Sequence, residues 1–348
     1  MIASAMATDS PGTEVDFANL SGPVLVLGGA GYIGSHTVRA LERLGIPVVV
    51  LDNFSTGHPE AVNVPLVEAS LADRETLART FDEWEPRAVM HFAARCYVGE
   101  SVEDPSIYYR ENVIHAWNLL EAMREAGCQE LIFSSTCATY GNPVALPITE
   151  ENPQVPVNPY GRTKLHMEHM MEDYAQAYGL RFAALRYFNA AGASQEGDLG
   201  EDHSPETHLI PLLMQVALGQ RDEIAIFGGD YPTPDGTCIR DYVHVEDLAD
   251  AHLRALSRLQ AGVHTLACNL GTGLGYSVRE VIEAVRRITR HPIPERMTGR
   301  RAGDPPELVS GGSRALEHLG WRPARSALEE ILSDAWRFHE AHPKGYSR

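Results

Sequence analysis

Several things that would point elsewhere are scarce in this sequence. No apolar stretch is long enough to span a bilayer, which takes roughly 20 consecutive apolar residues. Basic residues are in the minority, 29 Lys and Arg against 47 Asp and Glu, for a formal net charge of -18. With no Lys/Arg run to override that balance, neither nucleic acid nor a membrane surface is an expected partner. A small anionic ligand, which needs only a few placed arginines, is compatible with it. The five cysteines (Cys96, Cys128, Cys137, Cys238, Cys268) are odd in number and form no CxxC pair. Reduced thiols in a cytoplasm are therefore expected over a disulfide framework, and the cysteines suggest no metal site. Residues 1–22 lack the basic region of a signal peptide and carry Asp9, Glu14 and Asp16. A disordered tail is expected there.

The remainder has the composition of a globular chain able to bury a core. Of 348 residues, 44% are hydrophobic and 22% charged, enough for one large or two ordinary domains. VLVLG (24–28), PVVVLD (47–52), RAVMHFA (87–93), ELIFSS (130–135) and RFAALRYF (181–188) read as buried strands. Their continuous apolar character predicts a parallel sheet covered on both faces, and their alternation with helix-length stretches predicts an α/β fold. After about residue 190 the rhythm changes. The polar loop GASQEGDLGEDHSPETH precedes a helix at PLLMQVALG, and DYPTPDG and GRRAGDPPE read as further loops. The expected organisation is a dinucleotide-binding domain over 23–190 and a smaller substrate domain over 191–348, with a segment near 237–262 returning to the first.

Directly after the first strand stands GGAGYIGS, which places Gly28, Gly31 and Gly34 in a GxxGxxG arrangement. Glycines there permit a tight turn and close approach of backbone to a pyrophosphate, which the following helix N-terminus stabilises. The second strand ends in Asp52, 18 residues after Gly34, where a carboxylate binds ribose hydroxyls and repels a 2′-phosphate. Asn53 follows, with no arginine beside it, so NAD is expected over NADP.

NPYGRTK (158–164) holds a second signal. Asn158 suits an N-cap and Pro159 the first helical position. Tyr160 and Lys164 then project from one face at i and i+4. A phenol titrates near ~10 and is a poor base at neutral pH. A neighbouring ammonium and a cationic nicotinamide both favour the phenolate, so the spacing reads as a base. Met167, Met170 and Met171 on this helix read as core or interface. His91 and His244 read as satisfied structural groups, and HSPETH has no metal-site context; no metal is expected.

The Gly loop, Asp52 and YGRTK together resemble the extended branch of the short-chain dehydrogenase/reductase superfamily, and within it the UDP-sugar 4-epimerases. The resemblance runs from residue 23 onward through GGAGYIGSHT (28–37), DNFSTG (52–57), HFAARCYVGES (91–101), SSTCATYG (134–141), NPYGRTK, RYFNAAGA (186–193), AIFGGDYPTPDGTCIRDYVHV (225–245) and RRAGDPPEL (300–308). It implies a Rossmann-type doubly wound parallel sheet with a smaller C-terminal substrate domain. It also implies an NAD site built from Gly28, Gly31, Tyr32, Ile33, Gly34, Asp52, Asn53, Phe54, Ser55, Thr56, Gly57, Ser70, Leu71, Phe92, Ala93, Ala94, Cys96, Asn112 and Phe188, with Tyr160 and Lys164. Thr136 would bridge the sugar O4 and the Tyr160 oxygen. The residues after it, Cys137 and Ala138, stand where related 4,6-dehydratases have an Asp-Glu pair, which disfavours dehydration.

The implied reaction is reversible C4 epimerisation of a UDP-hexose, UDP-glucose or UDP-galactose, through a 4-keto sugar, with NAD returned unchanged. Arg240 and Arg301 would bind the diphosphate and Asp304 the uridine ribose. Phe188, Asn189, His208, Leu209, Ala225, Phe227 and Leu308 would complete the substrate site. Leu308 would lie beside the C2 substituent of the sugar, where tyrosine excludes N-acetyl sugars and a small residue admits them. Three positions depart from the usual pattern: Ser70 for an aspartate, His208 for an asparagine and Cys96 for a lysine. UDP-xylose/UDP-arabinose and UDP-glucuronate 4-epimerases share the scaffold and remain alternatives. A net oxidoreductase would need exchangeable NAD, and a silent dinucleotide sensor generally lacks the Tyr-Lys pair. A homodimer built from helices beginning near residues 105 and 159 is the implied assembly.

Overall fold

The computed structural model describes residues 15–346 apart from 302. β1 (Val24–Leu27) leads into α1 (Tyr32–Arg43), followed by β2 (Val48–Asp52), β3 (Leu66–Glu68), α2 (Arg74–Trp84) and β4 (Ala88–His91). The short helices α3 (Val98–Glu103) and α4 (Pro105–Tyr109) pass through a π-helical turn at Arg110–Ile114 into α5 (His115–Ala126). Next come β5 (Glu130–Thr136), α6 (Pro159–Tyr178), β6 (Arg181–Tyr187), β7 (Asn189–Ala191) and α7 (Leu209–Ala217). They are followed by β8 (Ile224–Phe227), β9 (Ile239–His244), α8 (Val245–Gln260), β10 (Thr265–Leu270) and β11 (Gly275–Ser277). The chain ends with α9 (Val278–Thr289), β12 (Glu295–Thr298), β13 (Glu307–Leu308), α10 (Arg314–Leu319) and α11 (Leu328–Ala341).

Seven strands form one parallel sheet in the order β10-β6-β5-β4-β1-β2-β3. Successive side chains of a strand point to opposite faces, so a sheet covered twice needs apolar residues throughout. Val24, Val26, Val48, Val50 and Met90 pack on one face against Val38 and Leu41 of α1 and Leu248 and Leu256 of α8. Leu25, Leu27, Val49, Leu51 and Phe133 pack on the other against Leu77 and Phe81 of α2, Leu119 of α5, and Met167 and Met171 of α6. The five strands read from the sequence are all present. β3 is short and mostly exposed, and β10 arrives from the second half of the chain. The strand order reverses between β1 and β4, and ligands of such sheets bind outside the strand C-termini at that switch.

The second half adds a small sheet around β9, with β7 and β13 parallel to it and β11 antiparallel, and a β8–β12 pair. Leu213 and Met214 of α7, Val281 and Val285 of α9, and Ile331 and Leu332 of α11 make its core. The tail expected over 1–22 lies outside the described residues as far as 14. From residue 15 it is not disordered: Val15, Phe17 and Leu20 pack on the first core, and the Asp16 amide donates to Ser257 Oγ at 3.0 Å. No described helix is long and apolar enough to cross a membrane.

Candidate active site

The C-terminal ends of β1, β2 and β4 form a cradle. Gly28 follows β1 with φ +74, and a Cβ there would stand 2.6 Å from the Ala93 amide nitrogen. At Gly34 a Cβ would stand 2.2 Å from the Gly28 carbonyl oxygen, so α1 can approach the turn only as glycine. Gly31 caps α1 without a side-chain hydrogen bond, and no acid occupies the first turn with Tyr32 and Ile33. The leading amides of α1 are thus open to an anion.

Asp52 ends β2 and is buried. Its Oδ2 accepts from Ala30 N at 3.0 Å and its Oδ1 from Phe54 N at 2.9 Å. Burial raises its pKa and these amides oppose the rise; each oxygen retains a lone pair for a hydroxyl. Asn53, Ser55 and Thr56 form an exposed rim above the buried Gly57. Ser70 Oγ accepts from Ala72 N at 3.2 Å, and buried Leu71 has its carbonyl held by Asn118 at 2.9 Å. Half-buried Phe92, Ala93 and Ala94 close the other side, with Phe92 4.7 Å from the His252 ring. An anion cradle beside a ribose-binding carboxylate fits a dinucleotide.

The next strand end carries the reactive groups. Asn158 Oδ1 accepts from Gly161 N at 2.8 Å, starting α6 so that Tyr160 and Lys164 share a face. Lys164 is buried; its Nζ donates to the Ser134 carbonyl at 2.8 Å and lies 4.8 Å from the Phe133 ring. Burial pulls its pKa down to about 8, against the negative charges of Cys96 and Glu168. The Tyr160 phenol is pushed well above its usual range by burial, and further by Cys96 and Tyr187, while hydrogen bonding with Thr136 opposes them. The expected lowering by Lys164 is therefore not present in the protein alone, because its ammonium is turned to the β5 backbone. Thr136 ends β5, with Oγ1 accepting from Ala138 N at 3.2 Å.

A buried ladder beneath these groups was missed in the sequence. Glu168 accepts from Ser135 Oγ at 2.5 Å and from Arg186 Nη2 at 2.5 Å. Arg186 Nη1 donates to Tyr140 OH at 3.0 Å, and Tyr140 in turn to Asn269 Oδ1 at 2.7 Å. It fixes α6, β5, β6 and β10 against one another. The signal was available, since Glu168 continues the i, i+4 step from Lys164. Asn112, inside the π-helical turn, receives Arg95 N at 2.8 Å and donates to Arg95 O at 2.9 Å and Thr163 Oγ1 at 3.1 Å. It thereby ties the Cys96 loop to α6. Such π turns are frequent at functional sites.

The second half closes over this end. Phe188 and Leu308 are buried in one cluster with Cys137, Tyr140 and Ile148, which brings both beside the residue after Thr136. Leu308 is the Cα partner of Arg240. Arg240 and Asp304, expected to serve different parts of a ligand, form an ion pair with each other. The Arg301 guanidinium lies 4.5 Å over the Phe227 ring, whose residue is 40% exposed. A Cβ on Gly303 would be 3.9 Å from Asn158 Cβ, so the Asp304 loop adjoins the start of α6. Ala225 on β8 and Asn189 at the start of β7 are half-buried. Tyr32 OH donates to the Gly192 carbonyl at 2.7 Å, joining α1 to the second half. His208 precedes Leu209, the first residue of α7, and its Nδ1 is 2.5 Å from Glu201 Oε1. Cys96 is exposed, and the His208 side chain is 44% exposed.

Of the three histidine expectations one holds, that for His244, and two are corrected, those for His91 and HSPETH. His244 is satisfied, with Nδ1 accepting from Glu246 N at 3.1 Å and Nε2 3.3 Å from Asp334. His91 is not: its Nδ1 is buried without a partner, and burial with Lys164 lowers its pKa to about 3, keeping the ring neutral. HSPETH is not an isolated stretch, because the fold gathers Glu201, His203, Glu206 and His208 at one point.

The model of the NAD-dependent epimerase/dehydratase family matches residues 24–271. The chain is 50% identical to the UDP-glucose 4-epimerase of Halalkalibacterium halodurans over 93% of its own length and 97% of that protein. Its structure resembles UDP-glucose 4-epimerase from Brucella ovis in complex with NAD, at 53% identity and TM-score 0.88 over 91% of this chain and 98% of that one. It also resembles UDP-glucose 4-epimerase from Bifidobacterium longum in complex with NAD+ and UDP, at 36% identity and TM-score 0.90 over 93% and 100% of the two chains.

Proposed function

The chain belongs to the NAD-dependent epimerase/dehydratase family, and on that premise we propose that it inverts C4 of a UDP-hexose, interconverting UDP-glucose and UDP-galactose. The observation that carries this reading is the convergence of Tyr160, Lys164 and Thr136 at the strand ends beside the glycine cradle. NAD, when bound, supplies the hydride acceptor and donor and a positive charge that favours the Tyr160 phenolate.

Tyr160 takes the 4-OH proton of the sugar and returns it after the hexose has turned over. Thr136 holds the same hydroxyl through its Oγ1. Lys164, whose Nζ now donates to the Ser134 carbonyl, would hold the cofactor's ribose and would add positive potential at the phenol if turned toward it. Cys137 and Ala138 offer no acid-base pair for elimination, so the keto sugar is reduced rather than dehydrated. Gly28, Gly31, Gly34 and Asp52 would hold the dinucleotide, with Asp52 favouring NAD over NADP, whose 2′-phosphate its carboxylate would repel. Arg240, released from or shared with Asp304, and Arg301 seat the diphosphate with the fork suited to it. His208, Leu209, Asn189, Ala225, Phe227 and Phe188 form the remaining walls.

In this reading residues 23–190, joined by α8 and β10 (within 245–270) where the chain returns to the first sheet, carry the dinucleotide, and the remainder of 191–348 carries the UDP-sugar. Ile114, Trp117 and Tyr178 are exposed at 56%, 41% and 55% on the π turn, α5 and α6, a surface suited to a homodimer. The decisive experiment incubates the pure protein with UDP-galactose, without added NAD, and follows the sugar by NMR. Appearance of UDP-glucose supports the reading. No conversion, with or without added NAD, overturns it.

A further inference from the structure

The loop between β7 and α7 gathers four metal-ligating side chains that the epimerase reading leaves largely unused. Glu201, His203, Glu206 and His208 each offer one ligand atom, and these atoms all lie within 4.8 Å of one another. Both imidazoles present Nδ1. His208 Nδ1 lies 2.5 Å from Glu201 Oε1 and 3.9 Å from Glu206 Oε1; His203 Nδ1 lies 3.4 Å from Glu201 Oε1 and 3.6 Å from Glu206 Oε2. Ligands about 2.0–2.1 Å from a tetrahedral Zn2+ stand roughly 3.3 Å apart, close to the two His203 separations of 3.4 and 3.6 Å.

Two further observations separate this cluster from a solvated charge patch. The Glu201 and Glu206 side chains are only 6% and 4% exposed, and buried carboxylates need partners or a metal. Glu206 is held by its Oε1, which accepts from Thr207 N at 2.6 Å and His208 N at 2.7 Å, leaving Oε2 for a second ligand. The His203 Nδ1 atom is buried and has no hydrogen-bond partner, although both carboxylates face it. A buried nitrogen that faces two carboxylates at 3.4 and 3.6 Å without a hydrogen bond to either is placed as a neighbouring ligand of a shared cation would be.

We propose that Glu201, His203, Glu206 and His208 bind a Zn2+ ion through two imidazole nitrogens and two carboxylate oxygens. Nitrogen donors in a four-fold set favour Zn2+ over Mg2+ or Ca2+, which take oxygen ligands in larger numbers. The ion is a staple rather than a reagent. Tyr97 stands edge-on to both rings, at 6.2 Å from His203 and 6.1 Å from His208, and its hydroxyl donates to the Pro205 carbonyl at 3.3 Å. Zn2+ there locks the loop carrying His208 and Leu209 against the Cys96–Tyr97 wall of the cleft. The inference does not rest on the epimerase reading, since no step passes through the ion.

The test strips the full-length protein with EDTA and titrates it with ZnCl2 by calorimetry, with melting temperature followed in parallel. The wild type should take up about one equivalent per chain and melt higher when loaded. His203→Asn and Glu206→Gln should each weaken uptake by more than ~100-fold, because loss of an outer partner alone costs 10–100-fold. Circular dichroism checks the fold of each, and either folded variant decides the matter. No uptake by the wild type at micromolar Zn2+, or equal uptake by a folded variant, overturns the proposal and leaves the four groups as an ion-pair network.

Discussion

Substituting Leu308 should change which sugar the cleft accepts. Leu308 is 8% exposed and packs with Phe188, Cys137 and Tyr140, so any replacement is felt twice, in stability and in selectivity. Leu308→Ser removes about three buried carbons, roughly 2–3 kcal/mol at ~0.8 kcal/mol each before any cavity term. Against a total of about 5–15 kcal/mol the fold survives, with a lower melting temperature. Space freed beside a sugar C2 substituent is worth about 1–3 kcal/mol in discrimination, or roughly 5- to 150-fold. The ratio of kcat/KM for UDP-N-acetylglucosamine to that for UDP-glucose should therefore rise by about tenfold or more in Leu308→Ser. In Leu308→Tyr it should fall, at an overpacking cost of ~1–3 kcal/mol. Wild type itself should turn over the N-acetyl sugar weakly but measurably. Coupled initial-rate assays on the three folded proteins decide it; ratios agreeing within about twofold would show that Leu308 does not face the sugar.

Three further expectations follow from the site. Tyr160→Phe should keep its fold and bound NAD while losing at least ~10²-fold in turnover; near-wild-type rates would remove Tyr160 as the base. Heat-denatured protein should release NAD or NADH, because Asp52 would face a 2′-phosphate; mass spectrometry dominated by NADP would reverse the cofactor assignment. Lys164 titrates at about 8 in the fold and near ~10.4 unfolded, so unfolding takes up a proton between those values and stability rises with pH across that window. Relative to Lys164→Met, wild type should gain up to roughly 3 kcal/mol between pH 7 and 10.5; a stability difference flat with pH refutes the buried ammonium.

The strands and the reactive pair were legible because each rests on a local rule. A twice-covered sheet demands unbroken apolar runs, and i, i+4 spacing puts Tyr160 and Lys164 on one face whatever surrounds them. Asp52 was legible as the residue ending a strand after a glycine turn. What stayed hidden depends on distant segments meeting. Nothing local in TLACNL marks it as the seventh strand of the first sheet rather than part of the second half. The Arg240–Asp304 pair spans 64 residues, and Arg186 finds Glu168 only once β6 lies beside α6. Burial was equally illegible: it sets the Tyr160 phenol high, where the sequence suggested Lys164 and a bound nicotinamide pulling it down.

The late arrival of β10 also bears on how the protein is made. Its partner β6 pairs with it in register from Phe182↔Thr265, so one strand leaves the ribosome long before the other. At ~5–20 residues per second, the outer edge of β6 waits about 4–17 s with its backbone groups unpaired. An apolar open edge is a template for pairing with another chain, so the hazard for this protein lies in synthesis rather than in the finished fold. Stalled or truncated chains ending before residue 265 carry that edge permanently. The first half therefore depends on the second for protection before either has any ligand to bind.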